Sequence, residues 1–304
     1  MSHNTIDDPK PTMLSTTVKA YGWKIVLLPG MEDPQGLVEK IRNFKIRDDD
    51  VLVAAYPKCG THWLWEVTQM LMRRTLTYEK RAKEYTMLEA VQGLERLELE
   101  PSQRILNSHN VVAHLPKEII AKKTKIIHVI RNSKDALVSW FWHCQITDGL
   151  KDVKFADIFE AVLSDNISLP SHLDYLYQWS EFEQNHPDHP IKHIYFEDMK
   201  KQPVKTIKEL ATFLNVQESE TFFEQVAEAC SFENMKTFEE NKEKMYPEEV
   251  RAVIDKINGE LKYIRKGEIG DWKNHFTVAQ NERFEERIAT FLKNKDLKFT
   301  FVYE

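Results

Sequence analysis

The sequence is poor in glycine and cysteine and has no long apolar run. Only nine of its 304 residues are glycine, about 3% against a usual ~7%, so each glycine is expected where the backbone needs one. The three cysteines, Cys59, Cys144 and Cys230, are odd in number and widely spaced, which fits a reducing compartment better than a secreted disulfide framework. The longest apolar stretches, such as 51–56, are far shorter than the ~18 residues of a membrane span.

An excess of positive charge and a leader peptide are also absent. Lysine and arginine number 42 against 48 aspartate and glutamate residues, which gives a net charge of −6 and argues against a nucleic-acid partner. The first residues, MSHNTIDDPK, contain no basic segment followed by an apolar stretch, so no signal peptide is predicted. We therefore expect a cytoplasmic protein that binds neither nucleic acid nor membrane.

Short apolar runs alternate with helical patterns along the chain. Val51–Ala55, Lys125–Ile130 and residues 193–196 resemble strands covered on both faces. Helical periodicity is present over 63–74, 134–144, 171–185 and 204–214. This alternation predicts an α/β fold with a central parallel sheet flanked by helices. Because no linker or repeat interrupts it, we expect a mobile tail over 1–17 and a single domain over 18–304.

The first chemical motif follows the strand Val51–Ala55. Residues 56–63, Y-P-K-C-G-T-H-W, form a strand-to-helix turn, in which free backbone N–H groups and the helix dipole favour an anion. Lys58 adds a full charge and Thr61 adds a hydroxyl donor, although a plain connecting turn is the alternative. A Walker A loop needs G-x-x-x-x-G-K-[ST]. Here the lysine precedes the glycine, so a magnesium-dependent NTPase is disfavoured.

Two further segments carry positive charge into loops. Arg131 ends the strand Lys125–Ile130, where a guanidinium can bind a phosphate through two nitrogens, and Ser139, two helical turns later, can reach the same anion. Arg265 and Lys266 stand beside two glycines in residues 265–274, R-K-G-E-I-G-D-W-K-N. Taken singly, either of these two segments is as consistent with a solvated surface as with a binding site. Together, two anion-binding turns and a basic loop indicate a ligand with phosphates at both ends.

Together these motifs resemble the cytosolic sulfotransferase family, which transfers a sulfuryl group from 3′-phosphoadenosine 5′-phosphosulfate (PAPS) to a small acceptor. The family patterns Y-P-K-S-G-T-T-W, R-N-x-K-D-x-x-V-S and R-K-G-x-x-G-D-W-K-N correspond to residues 56–63, 131–139 and 265–274. The resemblance runs from about residue 51 to residue 282. It implies the sulfotransferase fold, which is related to that of P-loop kinases, with PAPS as co-substrate and no metal.

The resemblance also implies a role for individual residues. Those expected at the 5′-phosphosulfate are Lys58, Gly60 and Thr61. Those expected at the 3′-phosphate are Arg131, Ser139, Arg265, Lys266 and Gly267. Trp63 and Phe232 would stack on the two faces of adenine, an arrangement worth ~1–3 kcal/mol per face.

The position of the catalytic histidine in the family pattern corresponds to His109, one of eleven histidines in this sequence. It follows Arg104-Ile105 and precedes Leu115-Pro116 at the family's steps, so His114 is expected to be structural. A histidine, with a pKa near ~6.5, accepts a hydroxyl proton at neutral pH. Lys58 would neutralise the charge that develops on the bridging oxygen of the donor as its S–O bond breaks.

Several positions depart from the family pattern. Cys59 and His62 replace a serine and a threonine, and Asn107 stands where many members have a lysine. Phe196 and Cys230 replace a tyrosine and a threonine in the donor site. We expect weaker donor binding with activity retained. His62 is expected to substitute as a charged or a neutral hydrogen-bond donor, which would make donor affinity depend on pH. Cys59 is either a reactive thiol with a lowered pKa at a helix N-terminus or a buried inert one.

The remaining clusters have simpler interpretations. Cys59-x-x-His62 and His143-Cys144 lack the C-x-x-C pair of a zinc site, so no metal is predicted. Residues 140–142, W-F-W, are core or line an acceptor pocket. Lys273 to Glu282 matches the family's K-x-x-x-T-V-x-x-x-E dimer motif and favours a homodimer, although Thr277-x-x-Gln280 is also an ordinary helix capping box.

The sequence thus predicts an enzyme that sulfonates a hydroxyl, or an amine, on a small and mostly apolar acceptor such as a phenol, a steroid or an alcohol. Two alternatives stay open at this stage. A nucleotide kinase of related fold would also use anion-binding turns, but it would need Mg²⁺ and ATP. A catalytically weak, donor-binding dimeric scaffold is consistent with the departures at Cys59, His62 and Asn107.

Overall fold

A four-stranded parallel sheet forms the centre of the protein. The structure, a computed structural model, describes residues 17–28, 31–90, 94–101, 103–145, 150–242, 264–295 and 297–301. The strands are β3 (Val51–Ala55), β4 (Ile105–Ser108), β5 (Lys125–Ile130) and β6 (Ile191–Tyr195), in the order β4-β3-β5-β6. A small antiparallel pair, β1 (Lys19–Ala20) and β2 (Trp23–Lys24), precedes them. The predicted α/β fold with a parallel sheet is confirmed.

Helices surround this sheet. In chain order they are α1 (Pro34–Arg42), α2 (Thr61–Arg73), α3 (Glu95–Leu99), α4 (Glu118–Ala121), α5 (Ser133–Cys144), α6 (Phe155–Leu163), α7 (His172–Asn185), α8 (Phe196–Lys201), α9 (Pro203–Leu214), α10 (Glu220–Ala229), α11 (Phe232–Lys242) and α12 (Val278–Asn294). Short 3₁₀-helices lie at Lys83–Thr86, Val112–His114 and Asp271–Asn274. The four helices predicted from periodicity are therefore confirmed as α2, α5, α7 and α9, with ends within the usual one or two residues.

Strand β3 shows why the sheet is covered on both faces. All five of its residues are buried, and successive side chains of a strand point to opposite faces. Val51, Val53 and Ala55 pack in one cluster with side chains of α2 and α9. Leu52 and Ala54 pack in another with side chains of α7. Full burial of an aliphatic side chain contributes ~1.5–3 kcal/mol, so the all-apolar run fixes this strand between two helical layers.

Two local predictions need correction. The strand predicted over 193–196 begins earlier, at Ile191, and ends at Tyr195, because Phe196 opens α8. Strand β4 was not predicted, because its last residues, Asn107 and Ser108, are polar although both are completely buried. Of the predicted tail over 1–17, residues 1–16 lie outside the described part of the chain.

The strand register brings the predicted motifs to one edge of the sheet. Ala54 pairs with Ser108 of β4 and with His128 of β5. Because the strands are parallel and level, the segments that follow β3, β4 and β5 leave the sheet side by side. These segments contain Lys58, His109 and Arg131 respectively.

Candidate active site

A cavity of about 420 Å³ opens at this edge of the sheet, within the ~300–1,000 Å³ range of small-molecule sites. The predicted site residues that line it are His109, Lys58, Gly60, Thr61, His62, Trp63, Arg131, Ser139, Phe196, Cys230, Phe232, Arg265, Lys266 and Gly267. Cys59 was also predicted there and does not line the cavity. Its side chain is completely buried in the core cluster beneath the loop, and its amide donates to the carbonyl of Tyr56.

The loop between β3 and α2 has the backbone of an anion-binding turn. Lys58 has a φ of 68° and Gly60 a φ of 101°. Gly60 occupies the N-cap position of α2, so no capping side chain covers the free N–H groups of the first turn. A Cβ atom on Gly60 would lie 2.8 Å from Cδ2 of Phe196, so only glycine fits this approach. The hydroxyl of Thr61 is buried with no hydrogen-bond partner among the described residues. An unpaired buried donor at a helix N-terminus suits an anion.

Arg131 links the three motifs. One terminal nitrogen of its guanidinium donates to the carbonyl of Lys58 at 3.0 Å, and the other donates to the carbonyl of Glu268 at 3.3 Å. Asp135 of α5 accepts from the backbone N–H groups of Gly270 at 2.7 Å and Trp272 at 2.9 Å. The early turn, the β5 turn and the late basic loop therefore form one connected structure.

The late basic loop is organised by a buried carboxylate. Asp271 contacts Arg265 at 2.5 Å and Lys266 at 2.8 Å. Burial opposes ionisation of Asp271, but the hydrogen bonds from Lys266 and Arg265 outweigh it and hold the pKa of this carboxyl well below its usual range. Asp271 thus remains charged and fixes both cations at the cavity wall.

The cavity is strongly cationic although the whole protein is acidic. Its charged lining residues are six cations and two carboxylates: Lys58, Lys83, Arg131, Lys200, Arg265, Lys266, Glu84 and Glu268. The whole chain, by contrast, has a net charge of −6. A low-dielectric cleft in which one sign of charge predominates concentrates ligands of the opposite sign. The site therefore suits a polyanion such as PAPS.

Burial, and after it the crowding of positive charge, lowers the pKa of several cavity residues. Burial, followed by the charges of Lys83 and Arg131, lowers the pKa of Lys58 to about 8. Burial, and then Lys83, lowers the pKa of His62 to about 4, although Glu84 lies 3.5 Å from its Nε2 atom. His62 is therefore neutral at neutral pH before a ligand binds, which favours the neutral of its two expected roles as a hydrogen-bond donor.

One ring nitrogen of His109 is held by a backbone carbonyl. Its Nδ1 atom lies 2.8 Å from the carbonyl oxygen of Ala55. A carbonyl only accepts, so Nδ1 carries the hydrogen and Nε2 keeps its lone pair. Burial, and then the charge of Lys83, holds the pKa of His109 well below its usual range. Glu89 fixes the segment by accepting from the amide of His109 and the hydroxyl of Ser108.

The predictions for the other histidine and for the thiol are settled by burial. His114 lies away from the cavity, with its Nε2 atom 2.8 Å from the carbonyl oxygen of Ala20, so its structural role is confirmed. Burial raises the pKa of the Cys59 thiol to about 12. The hypothesis of a reactive Cys59 is therefore wrong, because the thiolate is the reactive form.

Some lining residues carry no motif in the sequence. Lys83 and Glu84 come from a 3₁₀-helix, and Met87 and Ala90 follow it. Of the aromatic run in α5, Trp140 lines the cavity, whereas the side chain of Trp142 is 40% exposed and packs against Arg265. The only sequence signal toward Lys83 was the unusual Asn107, whose amide group contacts it.

Comparisons with known proteins identify the family to which the chain is similar. The family model described as "Sulfotransferase domain" matches residues 48–296. The chain is 32% identical to dog sulfotransferase 1B1 over 274 residues, covering 86% of this chain and 89% of the relative. It is also 32% identical to a rabbit amine sulfotransferase over 270 residues, covering 86% and 87%. A crystal structure of mouse sulfotransferase SULT7A1 with PAP superposes with a TM-score of 0.67 at 27% identity, covering 86% and 90%.

The chain therefore belongs to the sulfotransferase family, and the nucleotide-kinase alternative is set aside. Within the described ranges, no helix is both long and apolar enough to cross a membrane. Nor do the described residues bring together three or more His, Cys, Asp or Glu side chains that could hold a metal ion.

Proposed function

We propose that this PAPS-dependent sulfotransferase sulfonates a hydroxyl or amine group of a small acceptor, with His109 as the general base and Lys58 as the cation that stabilises the leaving group. The observation that carries the proposal is the orientation of His109, whose Nδ1 atom is held by the carbonyl of Ala55 in the same cavity as Lys58. The mouse relative bound to PAP supports this use of the donor.

The donor would lie along the cationic wall. Lys58, Gly60 and Thr61 would bind the phosphosulfate. Arg131, Ser139, Arg265, Lys266 and Gly267 would bind the 3′-phosphate, and Trp63, Phe196, Cys230 and Phe232 would surround the adenine. The partnerless hydroxyl of Thr61 and the buried Nε atom of Arg131, which also lacks a partner among the described residues, support this assignment. PAPS supplies a sulfuryl group on a phosphate that leaves readily.

The residues of this chain then move one proton and stabilise one developing charge. The acceptor oxygen forms a bond to sulfur, and the S–O bond to the 5′-phosphate breaks with its electron pair left on the phosphate. The acceptor proton goes to the Nε2 atom of His109. Lys58 offsets the charge on the departing oxygen, so PAP is released. The bound polyanion also offsets the cations that lower the pKa of His109, which makes this histidine a better base.

The acceptor side indicates a molecule with an apolar body. Apolar residues of the lining come from separate segments and include Val26, Leu27, Leu28, Met87, Ala90 and Trp140. These side chains would exclude water around a phenol, a steroid or an alcohol. An amine acceptor is supported by the rabbit relative, which is an amine sulfotransferase.

Replacement of the base tests this proposal. We expect His109→Ala to lower turnover ~10²–10⁴-fold, the usual contribution of a general base, while PAP affinity measured by calorimetry stays unchanged. His186→Ala, a change outside the cavity lining, is the matched control and should keep full activity. Turnover retained in His109→Ala would contradict the proposal. A panel of phenols, steroids, alcohols and amines with labelled PAPS would define the acceptor class.

We also propose a homodimer formed through Lys273 to Glu282. In this segment Thr277 caps α12, its hydroxyl accepting from the amide of Gln280 at 3.2 Å. The next residue, Val278, is 76% exposed. What supports contact with a second copy of the chain is that this exposed aliphatic side chain lies within the segment that resembles the family's dimer motif.

A further inference from the structure

Lys83 is a buried cation beside the proposed base. It opens the 3₁₀-helix Lys83–Thr86 and is only 3% exposed, yet it lines the same cavity as Lys58 and His109. A buried ammonium is costly unless it is paired. Its nearest carboxylate in the described chain, Glu84, lies 3.5 Å away, is 38% exposed and is shared with His62. This leaves Lys83 only partly compensated at the cavity wall.

Asn107 holds Lys83 in place. Its side-chain amide donates to the carbonyl of Lys83 at 2.8 Å and to the hydroxyl of Thr86 at 3.1 Å. Its side-chain oxygen accepts from the ammonium of Lys83 at 3.4 Å, while its backbone carbonyl accepts from the amide of Leu88 at 3.0 Å. A lysine at position 107 has no acceptor and would face Lys83 with a like charge. The asparagine therefore fits the presence of Lys83.

The positive charge of Lys83 affects the pKa of three neighbouring cavity residues. After burial, its charge is the largest influence that lowers the pKa of Lys58, of His62 and of His109. A positive charge in this position favours negative charge arriving between the base and the phosphosulfate loop. The nonbridging oxygens of the sulfuryl group carry such a charge during transfer.

We propose that Lys83 is a second catalytic cation of this enzyme, contacting the sulfuryl oxygens of PAPS during transfer and supplying from a neighbouring segment the charge that Asn107 does not carry. The chemical step is otherwise unchanged: the acceptor oxygen bonds to sulfur, the bond to the 5′-phosphate breaks, and His109 takes the proton. The inference rests on the proposed role of His109 in that step.

Removing the charge tests the inference. In Lys83→Met we expect kcat to fall ~10²–10³-fold, as for loss of one preorganised donor. PAP affinity should change less than about twofold, because PAP lacks the sulfuryl group that Lys83 would contact. Lys80→Met is the matched control, since Lys80 is an exposed lysine three positions earlier that does not line the cavity. It should keep full activity.

The pH profile separates an electrostatic role from a structural one. The titratable and charged groups around His109 come from several elements: Lys58, His62, Lys83, Glu84, Glu89, Arg131 and His143. Loss of one positive charge among them raises the pKa of both His109 and Lys58. The acidic limb of kcat/KM reports deprotonation of His109, and the alkaline limb reports deprotonation of Lys58. We therefore expect both limbs to move to higher pH in Lys83→Met. A merely structural residue would lower the profile without moving both limbs the same way.

Moving the charge to position 107 gives the sharpest test. In Lys83→Met/Asn107→Lys the new ammonium extends from β4. We expect kcat of this double variant to be at least about tenfold higher than that of Lys83→Met. Asn107→Lys alone should lower thermal stability, because two ammonium groups would then meet in a buried site. Lys83→Gln keeps the inference testable if Lys83→Met does not fold.

The outcomes distinguish this inference from the proposed function. A kcat within about threefold of wild type in folded Lys83→Met or Lys83→Gln would overturn it. An equal loss of PAP affinity and kcat would also overturn it, since Lys83 would then act in donor binding. Wild-type turnover in His109→Ala would instead overturn the proposed role of His109.

Discussion

At the scale of the residue, Lys58 combines a left-handed backbone with a partly buried side chain that lines the cavity. Its φ of 68° is an uncommon conformation for a residue other than glycine, and it brings the side chain into the cavity wall. Burial and neighbouring cations lower the pKa of this ammonium to about 8. Its charge is therefore kept at neutral pH and lost on modest alkalinisation.

We expect kcat/KM for PAPS to fall as the pH rises through about 8, where Lys58 of the free enzyme loses its proton. In Lys58→Arg the guanidinium stays charged, so this alkaline limb should disappear while the plateau falls about tenfold or more. Steady-state kinetics between about pH 6 and about pH 10 measures both effects. An alkaline limb that persists unchanged in Lys58→Arg would assign it to another group.

Gly60 offers a residue-scale test of stability. Its φ is 101°, and an added Cβ atom would approach Phe196 to 2.8 Å, so Gly60→Ala combines backbone strain with overpacking. We expect the free energy of unfolding in urea to fall by ~2–4 kcal/mol. Gly22→Ala is the matched control, because Gly22 has a φ of 82° and nothing within 4 Å. It should lose only ~1–2 kcal/mol, and equal losses would show that Phe196 moves aside without cost.

At the scale of the element, α5 connects the cavity to the C-terminal part of the chain. Asn132 caps this helix by accepting from the amide of Asp135 at 2.8 Å. The carboxylate of Asp135, only 2% exposed, then accepts from Gly270 and Trp272. The late basic loop is thus bound to the helix that follows Arg131.

Loosening this connection should weaken donor binding. Asp135→Asn replaces a charged acceptor of two backbone hydrogen bonds, each worth ~1.5–3 kcal/mol. We expect PAP affinity to fall at least about tenfold and amide exchange at Gly270 and Trp272 to accelerate. Asp157→Asn is the control, because Asp157 caps the separate helix α6 and should leave PAP affinity intact. Unchanged exchange in Asp135→Asn would contradict the connection.

At the scale of the whole molecule, the distribution of charge and of exposed apolar groups is uneven. The acidic chain concentrates cations in one cavity, where Arg131, Arg265 and Lys266 are held by contacts with the protein itself. Two aliphatic side chains, Leu99 at 86% and Val278 at 76%, are by contrast strongly exposed. Only Val278 lies in the segment that resembles a dimer motif.

This contrast supplies a test of the proposed homodimer. We expect sedimentation velocity at micromolar concentration to show a dimer for the wild type and for Leu99→Asp. Val278→Asp would bury a charge at the interface, so it should sediment as a monomer. A monomeric wild type, or a dimer that persists in Val278→Asp, would reject an interface through Lys273 to Glu282.

Patterns local in sequence predicted much of the fold. Val51–Ala55 and Lys125–Ile130 were identified to the residue as strands, since an uninterrupted apolar run is stable only when both faces are covered. Strand β4 was missed for the converse reason. Its polar end is buried because Asn107 and Ser108 find partners in a segment about twenty residues earlier, and no local pattern encodes such partners.

The sequence by itself determined the class of fold, the anion-binding turns and their order along the chain, because apolar periodicity and turn chemistry act between near neighbours. Only the tertiary structure decided which way the buried groups face. It turned the Cys59 thiol into the core, held the Nδ1 atom of His109 on a strand carbonyl and brought Lys83 to Asn107. Those choices depend on hydrogen bonds and burial between distant segments, which come together only when the chain is folded.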